Sequence, residues 1–405
     1  MTTRDPRSPR PLRVLHVIQN LNYGGMERVL ADIVLRADPA RFESHVLCLQ
    51  YAGRFAQGLE RASTLHLGPR MSPMSMLRPT ALASQIRAIA PDVVHTHSGV
   101  WHKASLAARM AGVPWVVHTE HGRQKPDPWQ SRLVDGIAAR RTDRVVAVSD
   151  LLAAELPRAL WITPEKIARI SNGVDTDAYH PRVDDGKLRR ELALAPDTPI
   201  IGSIGRLEPI KGYDIMIEAM AILRREPAHR EAVLVIGGAG SQREALDARI
   251  SELGIACHVQ MLGWRDDVHD MHAAFDIFTM SSRSEGTSIS LLEAMSAGLP
   301  PVVTDVGGNA AVLGEGLAVQ SLVPTEDPTA LAARWGSFLE ARERRERVAE
   351  QARARVVAAF GLDAMVCAYE RLYETGVAVR AGVSANAVRG VPPSPRNSAL
   401  RPPVI

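Results

Sequence analysis

Short β-branched runs alternate with helical patterns through the first 148 residues, and after a break the same alternation starts again. Residues 13–18, 44–49, 64–67, 92–96, 115–119 and 144–148 read as strands, and residues 26–36, 80–90 and 102–111 as helices between them. Strand–helix–strand alternation of this kind builds a parallel sheet with helices on both faces. Residues 180–197, rich in Pro, Asp and Gly, interrupt it and read as an interdomain linker. Strands at 200–204, 232–236, 258–262, 277–280 and 301–304 follow, with helices at 214–224 and 242–253. At 405 residues the chain exceeds a single hydrophobic core. The expected fold class is therefore α/β, with doubly wound domains at 12–185 and 198–360. Ligands of such sheets bind outside the carboxyl ends of the strands, here in a cleft between two domains.

Composition excludes several other classes. No apolar run approaches the ~20 residues of a membrane span. The start is basic and then apolar, but the apolar part alternates and ends in Gly24-Gly25 without a small-residue cleavage site, so it reads as a first strand and not a signal peptide. Cys48, Cys257 and Cys367 are odd in number and far apart, which argues against disulfides and points to a reducing cytoplasm. The net charge of +3 is too small to imply nucleic acid. Residues 1–185 carry 24 Lys and Arg against 18 Asp and Glu, a balance open to contact with an anionic membrane or to plain solvated helices. Residues 1–11 and 377–405 lack periodicity and are expected to be disordered tails.

Residues 284–309, SEGTSISLLEAMSAGLPPVVTDVGGN, carry the most chemistry. Gly286, Thr287 and Ser288 stand where a helix would begin, with Ser288 an N-cap candidate and Leu291, Leu292 and Met295 an apolar face. A helix start has unpaired N–H groups and partial positive charge, so it can hold a phosphate. Glu285 before it and Glu293 in its second turn can accept hydrogen bonds from hydroxyls on either side of that phosphate. Upstream, the run from Gly202 to Gly212 places Gly205, Arg206 and Lys211 after the first strand of the second half. Arg206 offers a fork to two phosphate oxygens and Lys211 a point charge, enough to neutralise a departing diphosphate without metal.

Together these runs resemble the E-x7-E and GR-x4-KG motifs of the family 4 retaining glycosyltransferases. That resemblance, which spans residues 12 to 373, implies the GT-B fold, two Rossmann-like domains facing across a cleft. It implies sugar transfer from a UDP- or GDP-sugar to a glycan or lipid-linked acceptor in cell-surface polysaccharide assembly, with no cofactor, no catalytic metal and no nucleic-acid partner. It further implies a cytoplasmic protein, peripheral at the inner membrane face, with a helix at 362–375 crossing back to the first domain. Glu293 would hold the ribose and Glu285 the donor sugar. Gly24-Gly25 with Glu27 resembles the family's N-terminal loop, and Gly238 its glycine turn beside the nucleotide. Trp264 and Arg265 would lie by the base, with Asp266-Asp267 capping the next helix. His121 would lie by the donor sugar and assist the reaction, and its EHGR run (120–123) resembles exopolysaccharide-associated members of the PEP-CTERM/exosortase type.

Four features stand apart. His95 and His97 share a strand face, with His102 and His118 nearby, but no Cys or third ligand stands at a recognisable zinc spacing. Asp175-Thr176-Asp177 matches the DxD of metal-dependent transferases, yet occupies a turn the family also shows, and is not read as a metal site. Ala311 replaces a Glu that the family often has, and the methionine-rich residues 71–79 suit an adaptable apolar surface. A nucleotide-sugar 2-epimerase of the same fold and a non-catalytic nucleotide-sugar binder are the alternative readings.

Overall fold

The computed structural model describes residues 10–22, 24–70, 73–123 and 128–382. Strands β1 (Leu12–Asn20), β2 (Phe42–Tyr51), β3 (Ser63–Leu67), β4 (Val93–His97), β5 (Trp115–Glu120), β6 (Arg144–Ala147) and β7 (Ile167–Arg169) form one sheet in the order β3-β2-β1-β4-β5-β6-β7. A second sheet takes β8 (Ile200–Ile204), β9 (Val233–Gly237), β10 (Val259–Gly263), β11 (Ile277–Met280), β12 (Pro301–Thr304) and β13 (Leu322–Val323) in the order β10-β9-β8-β11-β12-β13. Every pairing is parallel. Strand order reverses beside β1 in one sheet and beside β8 in the other, which opens a crevice at the carboxyl ends of both.

The strands read as they do because both sheet faces are covered. All residues of β4, β5 and β9 are buried, and such strands are written as near-continuous apolar runs. The polar exceptions are His95, Thr96 and His97 in β4 and His118, Thr119 and Glu120 in β5. Register sets His16 of β1 beside His95 of β4. The second lobe has one core, with Trp335, Phe278, Phe338 and Tyr179 fully buried in it.

After the second sheet the chain returns. Val174 pairs with Gly361 in an isolated bridge, and the helix Leu362–Arg380 then runs across the first sheet. Met365, Val366, Tyr369 and Tyr373 fall on one side by helical spacing and pack on Val14, Val93 and Val117. This helix outlasts its expected end and occupies residues 377–380, which the sequence assigned to a disordered tail. Tertiary contacts explain the difference: Val377 packs on the same cluster and Arg380 reaches Asp143 at 2.5 Å. Residues 1–9 and 383–405 of the expected tails, and Met71 and Ser72 of the methionine-rich stretch, lie outside the described residues.

The expected linker also holds structure. A short helix, Lys187–Glu191, interrupts it, and Arg189 ties it to the second lobe through Asp276 at 3.1 Å. Helices Trp129–Arg141 and Asn309–Ser321 escaped the sequence pattern. The first buries only Gly136, Ala138 and Ala139, and the second breaks at Gly314 with φ 71°.

Gly376 permits the crossing helix to approach the sheet, since a Cβ there would stand 2.0 Å from the Trp115 ring. In Gly376→Ala, overpacking of about 1–3 kcal/mol opposes a helix-propensity gain of about 1 kcal/mol. A lower melting temperature is expected by calorimetry. A higher one would show that the Trp115 ring yields and the close approach is not required.

Candidate active site

The cleft between the two sets of strand ends has a volume of about 350 Å3. From the first lobe, Gly24 and Gly25 reach it after β1, Ser98 after β4, and His121, Gly122 and Arg123 after β5. From the second lobe come Gly205, Arg206 and Lys211 after β8, Gly238 after β9, and Trp264 and Arg265 after β10. Glu285, Gly286, Thr287, Ser288 and Glu293 complete it after β11. All the residues singled out in the sequence as catalytic or donor-binding therefore line one cavity.

The helix start forms as its sequence requires. Ser288 is the N-cap of Ile289–Ser296, its Oγ accepting from the Leu291 N–H at 3.4 Å, and the cleft is also lined by Ile289 and Ser290. Two further features of this loop concern the backbone. A Cβ at Gly286 would stand 2.1 Å from the His121 carbonyl oxygen, so the lobes meet there main chain to main chain. A Cβ at Gly307, with φ +54°, would stand 1.7 Å from the Glu285 carbonyl oxygen, so the late Gly-Gly turn supports the loop from below. Thr287 spends its hydroxyl on the Val148 carbonyl across the cleft, and Asn172 Nδ2 donates to the Thr287 carbonyl at 2.8 Å. What Thr287 offers the cavity is thus mainly backbone. Ala311 is exposed on the next helix and does not line the cavity.

The charges are less independent than the sequence suggests. Lys211 Nζ donates to Glu285 Oε1 at 2.5 Å, and Ser282 Oγ donates to the same oxygen at 2.6 Å. Two groups expected to grip different parts of a donor are ion-paired with each other. Arg206 is exposed on the cleft wall, and its side chain makes no hydrogen bond among the described residues. Arg265 differs from expectation. Its guanidinium is held by Glu191 at 2.5 and 2.9 Å and by Asp267 at 2.7 Å, leaving its stem and backbone to the cavity. For the same reason Asp267, although at the N-cap position of Val268–Ala274, does not cap that helix with its side chain. The two-oxygen grip on a cation outweighs a single bond to an N–H.

Glu293 is 4% exposed, and its Oε1 has no hydrogen-bond partner among the described residues. Burial pushes its carboxyl up to about 7, against the pull of the nearby Arg28 cation. Arg28 itself pairs with Asp32 at 3.1 Å, both buried. That i,i+4 pair, flanked by the apolar run of the helix, was a legible sign of a buried charge network; Tyr179, which faces Glu293, gave no signal. Glu120 is likewise raised to about 7 by burial, with Arg123 opposing at 3.1 Å and Ser98 donating at 3.2 Å. Glu27 folds over Gly24, where a Cβ would stand 2.3 Å from its Oε2, and its carboxyl feels Arg206 across the cleft.

His121 turns its ring inward, with Nε2 3.2 Å from Nδ1 of His97. His16, His95 and His97 bring ring nitrogens within 4.8 Å of one another. Yet His95 Nδ1 is held by the Tyr373 hydroxyl at 2.8 Å and its Nε2 by Thr119 Oγ1 at 2.7 Å. Two imidazoles with a free nitrogen remain, which does not fit a three-histidine zinc centre. Asp175 is spent on its turn, accepting from the Asp177 and Ala178 N–H groups, and on Arg36.

Residues 23–178 match the family profile described as Glycosyltransferase Family 4, and residues 184–355 that of glycosyl transferases group 1. The chain is 31% identical to a D-inositol 3-phosphate glycosyltransferase of Streptomyces scabiei, over 70% of this chain and 67% of that one. It is 32% identical to the Escherichia coli UDP-Gal:alpha-D-GlcNAc-diphosphoundecaprenol alpha-1,3-galactosyltransferase over 54% of this chain, a match that spans 59% of that protein's length. Anabaena HepE, in complex with UDP and glucose, superposes with a TM-score of 0.78 over 90% of this chain and 100% of that one, at 23% identity. The chain belongs to the family 4 glycosyltransferases and has the GT-B fold.

The raised Glu293 carboxyl predicts a pH-dependent cost to folding. Below about pH 4.5 the group is protonated in folded and unfolded chains alike and costs nothing. As pH rises from about 4.5 to about 7 the unfolded chain ionises this carboxyl while the folded state does not, so a penalty builds up and levels off above pH 7 at up to about 3 kcal/mol. Glu293→Gln should therefore raise the melting temperature at pH 8 and leave it nearly unchanged at pH 4.5. An equal gain at both values would place the cost in packing and not in ionisation.

Proposed function

We propose that this family 4 member transfers a sugar from a nucleotide-sugar, first of all a UDP-sugar, to a hydroxyl of a glycan or lipid-linked oligosaccharide, with retention and without catalytic metal. One observation carries the reading. A guanidinium and a buried carboxylate oxygen without hydrogen-bond partners among the described residues, a lysine and a helix start all line one cavity at the switch points of two sheets. That set matches a diphosphate flanked by two polyhydroxyl groups. The names of the relatives support the same donor and acceptor classes: one acts on a diphosphoundecaprenol-linked GlcNAc, and HepE was captured with UDP and glucose.

In this reading the diphosphate rests against the N–H groups that open the helix Ile289–Ser296 and against Arg206. Lys211 exchanges Glu285 for a phosphate oxygen, which frees Glu285 to accept from the donor sugar. Glu293 accepts ribose hydroxyls at Oε1. The acceptor oxygen bonds to the anomeric carbon on the face from which the phosphate oxygen departs, and the acceptor's proton passes to that phosphate. The cavity-lining carboxylates, Glu285 and Glu293, are both assigned to binding, which favours this same-face route over a covalent one. Arg206 and Lys211 supply the positive charge a metal would otherwise bring. The positive balance of the first half supports peripheral contact with an anionic membrane. No helix among the described residues is long and apolar enough to cross one.

Thermal shift with UDP, GDP, ADP and their common sugar conjugates tests the donor site. A melting rise with one nucleotide, indifferent to EDTA and lost in Glu293→Ala and Arg206→Ala, is expected. Affinity should climb as pH rises through 7, because Glu293 must be ionised to accept two hydroxyls, and Glu293→Gln should flatten that dependence. A response that requires Mn2+ would overturn the metal-free site. Conversion of the donor at C2 without an acceptor would identify an epimerase instead.

A further inference from the structure

The His121 ring is engaged on its inner edge. Its Nε2 and His97 Nδ1 are 3.2 Å apart, and the two rings stack with centroids 5.5 Å apart and planes 23° apart. A single proton lies between those nitrogens, and which ring owns it decides what the outer edge of His121 can do. His97 is fully buried, and its other nitrogen, Nε2, has no hydrogen-bond partner among the described residues. If His121 donated, His97 would carry its proton on Nε2, an orphaned N–H in the protein interior. If His97 donates, its Nε2 is a bare lone pair. Buried orphan N–H groups are rarer than under-satisfied acceptors, so the proton belongs on His97 Nδ1. His121 then accepts at Nε2 and carries its own proton on Nδ1. Both rings are neutral, since burial holds His121 down at about 3 and His97 well below its ordinary value.

We propose that His97 is a positioning residue that fixes His121 as its Nδ1–H tautomer, so that the His121 ring meets the donor sugar as a hydrogen-bond donor and not as a base. The inference rests on the nucleotide-sugar reading of the cleft. His97 is itself held in place. The His95 ring lies 4.3 Å away and the His16 ring 5.8 Å away by centroid. His95 is pinned by Tyr373 and Thr119, and Thr119 Oγ1 shares a hydrogen bond with the Tyr369 hydroxyl at 3.1 Å. The crossing helix thus buttresses the imidazole that orients His121. A ring already accepting at Nε2 has no lone pair for the acceptor's proton, which leaves the departing phosphate to take it.

Long-range 1H–15N correlation on the full chain, labelled with 15N-histidine and with His121 assigned through His121→Gln, reads the tautomer directly. A proton on His121 Nδ1 with Nε2 bare supports the proposal; the reverse overturns it, whether or not the protein turns over any donor. Kinetics supply the second arm. His97→Leu removes the N–H, and His97→Asn restores one near the Nδ1 position. UDP binding by calorimetry should match wild type in both variants, because UDP carries no sugar to meet His121. With UDP-glucose, transfer to water should fall by about 10- to 100-fold in kcat for His97→Leu and recover in His97→Asn. Full activity in His97→Leu would overturn the positioning role. Failure of wild type to bind UDP would instead strike the donor reading, and the NMR arm would still decide the tautomer.

Discussion

Everything at the cleft depends on a place where two backbones touch. Gly286 lies so close to the His121 carbonyl that no side chain fits between them. Around this contact Thr287 bonds to Val148, Asn172 to Thr287, and Ser284 to the Arg123 carbonyl at 3.2 Å. The lobes are thereby registered at the loop that carries Glu285. Because the contacts are main chain or short side chain, they allow little slack, and slack is what a geometry-dependent reaction tolerates least.

A second constraint is electrostatic. The cleft gathers Arg206, Lys211, Glu285 and Glu293, yet few of these charges are idle. Lys211 neutralises Glu285, Glu191 and Asp267 neutralise Arg265, and burial presses Glu293 towards its neutral form. A bare cation cluster would repel itself, and a bare carboxylate cluster would exclude phosphate. Pairing them in advance lets one cleft hold both signs of charge side by side.

The fold was largely legible because parallel strands covered on both faces must be written as apolar runs, and because glycines mark the turns at their carboxyl ends. The cavity was legible for a related reason. Gly238 and Gly286 stand where loops approach one another too closely for a side chain, against the Gly205 and His121 carbonyls, so their pattern in the sequence is a record of contacts. The missing part was pairing. Nothing in the spacing of Lys211 and Glu285, 74 residues apart, shows that they meet. The same holds for His97 and His121. Each histidine was visible in its own strand, while the bond between them exists only because β4 and β5 are neighbours in register. Helix ends escaped too, as at residues 377–380, where a tertiary contact and an ion pair extend a helix past the end of its periodic pattern.

The return of the chain to its first lobe has a mechanical meaning. The outgoing and incoming passages run side by side and bond to each other, the Val174 N–H to the Phe360 carbonyl at 2.9 Å and the Leu362 N–H to the Val174 carbonyl at 3.0 Å. Two ribbons joined in this way act as one strap, not as two loose tethers. A displacement of one passage relative to the other would break both hydrogen bonds, so the two connections between the lobes are tied into one.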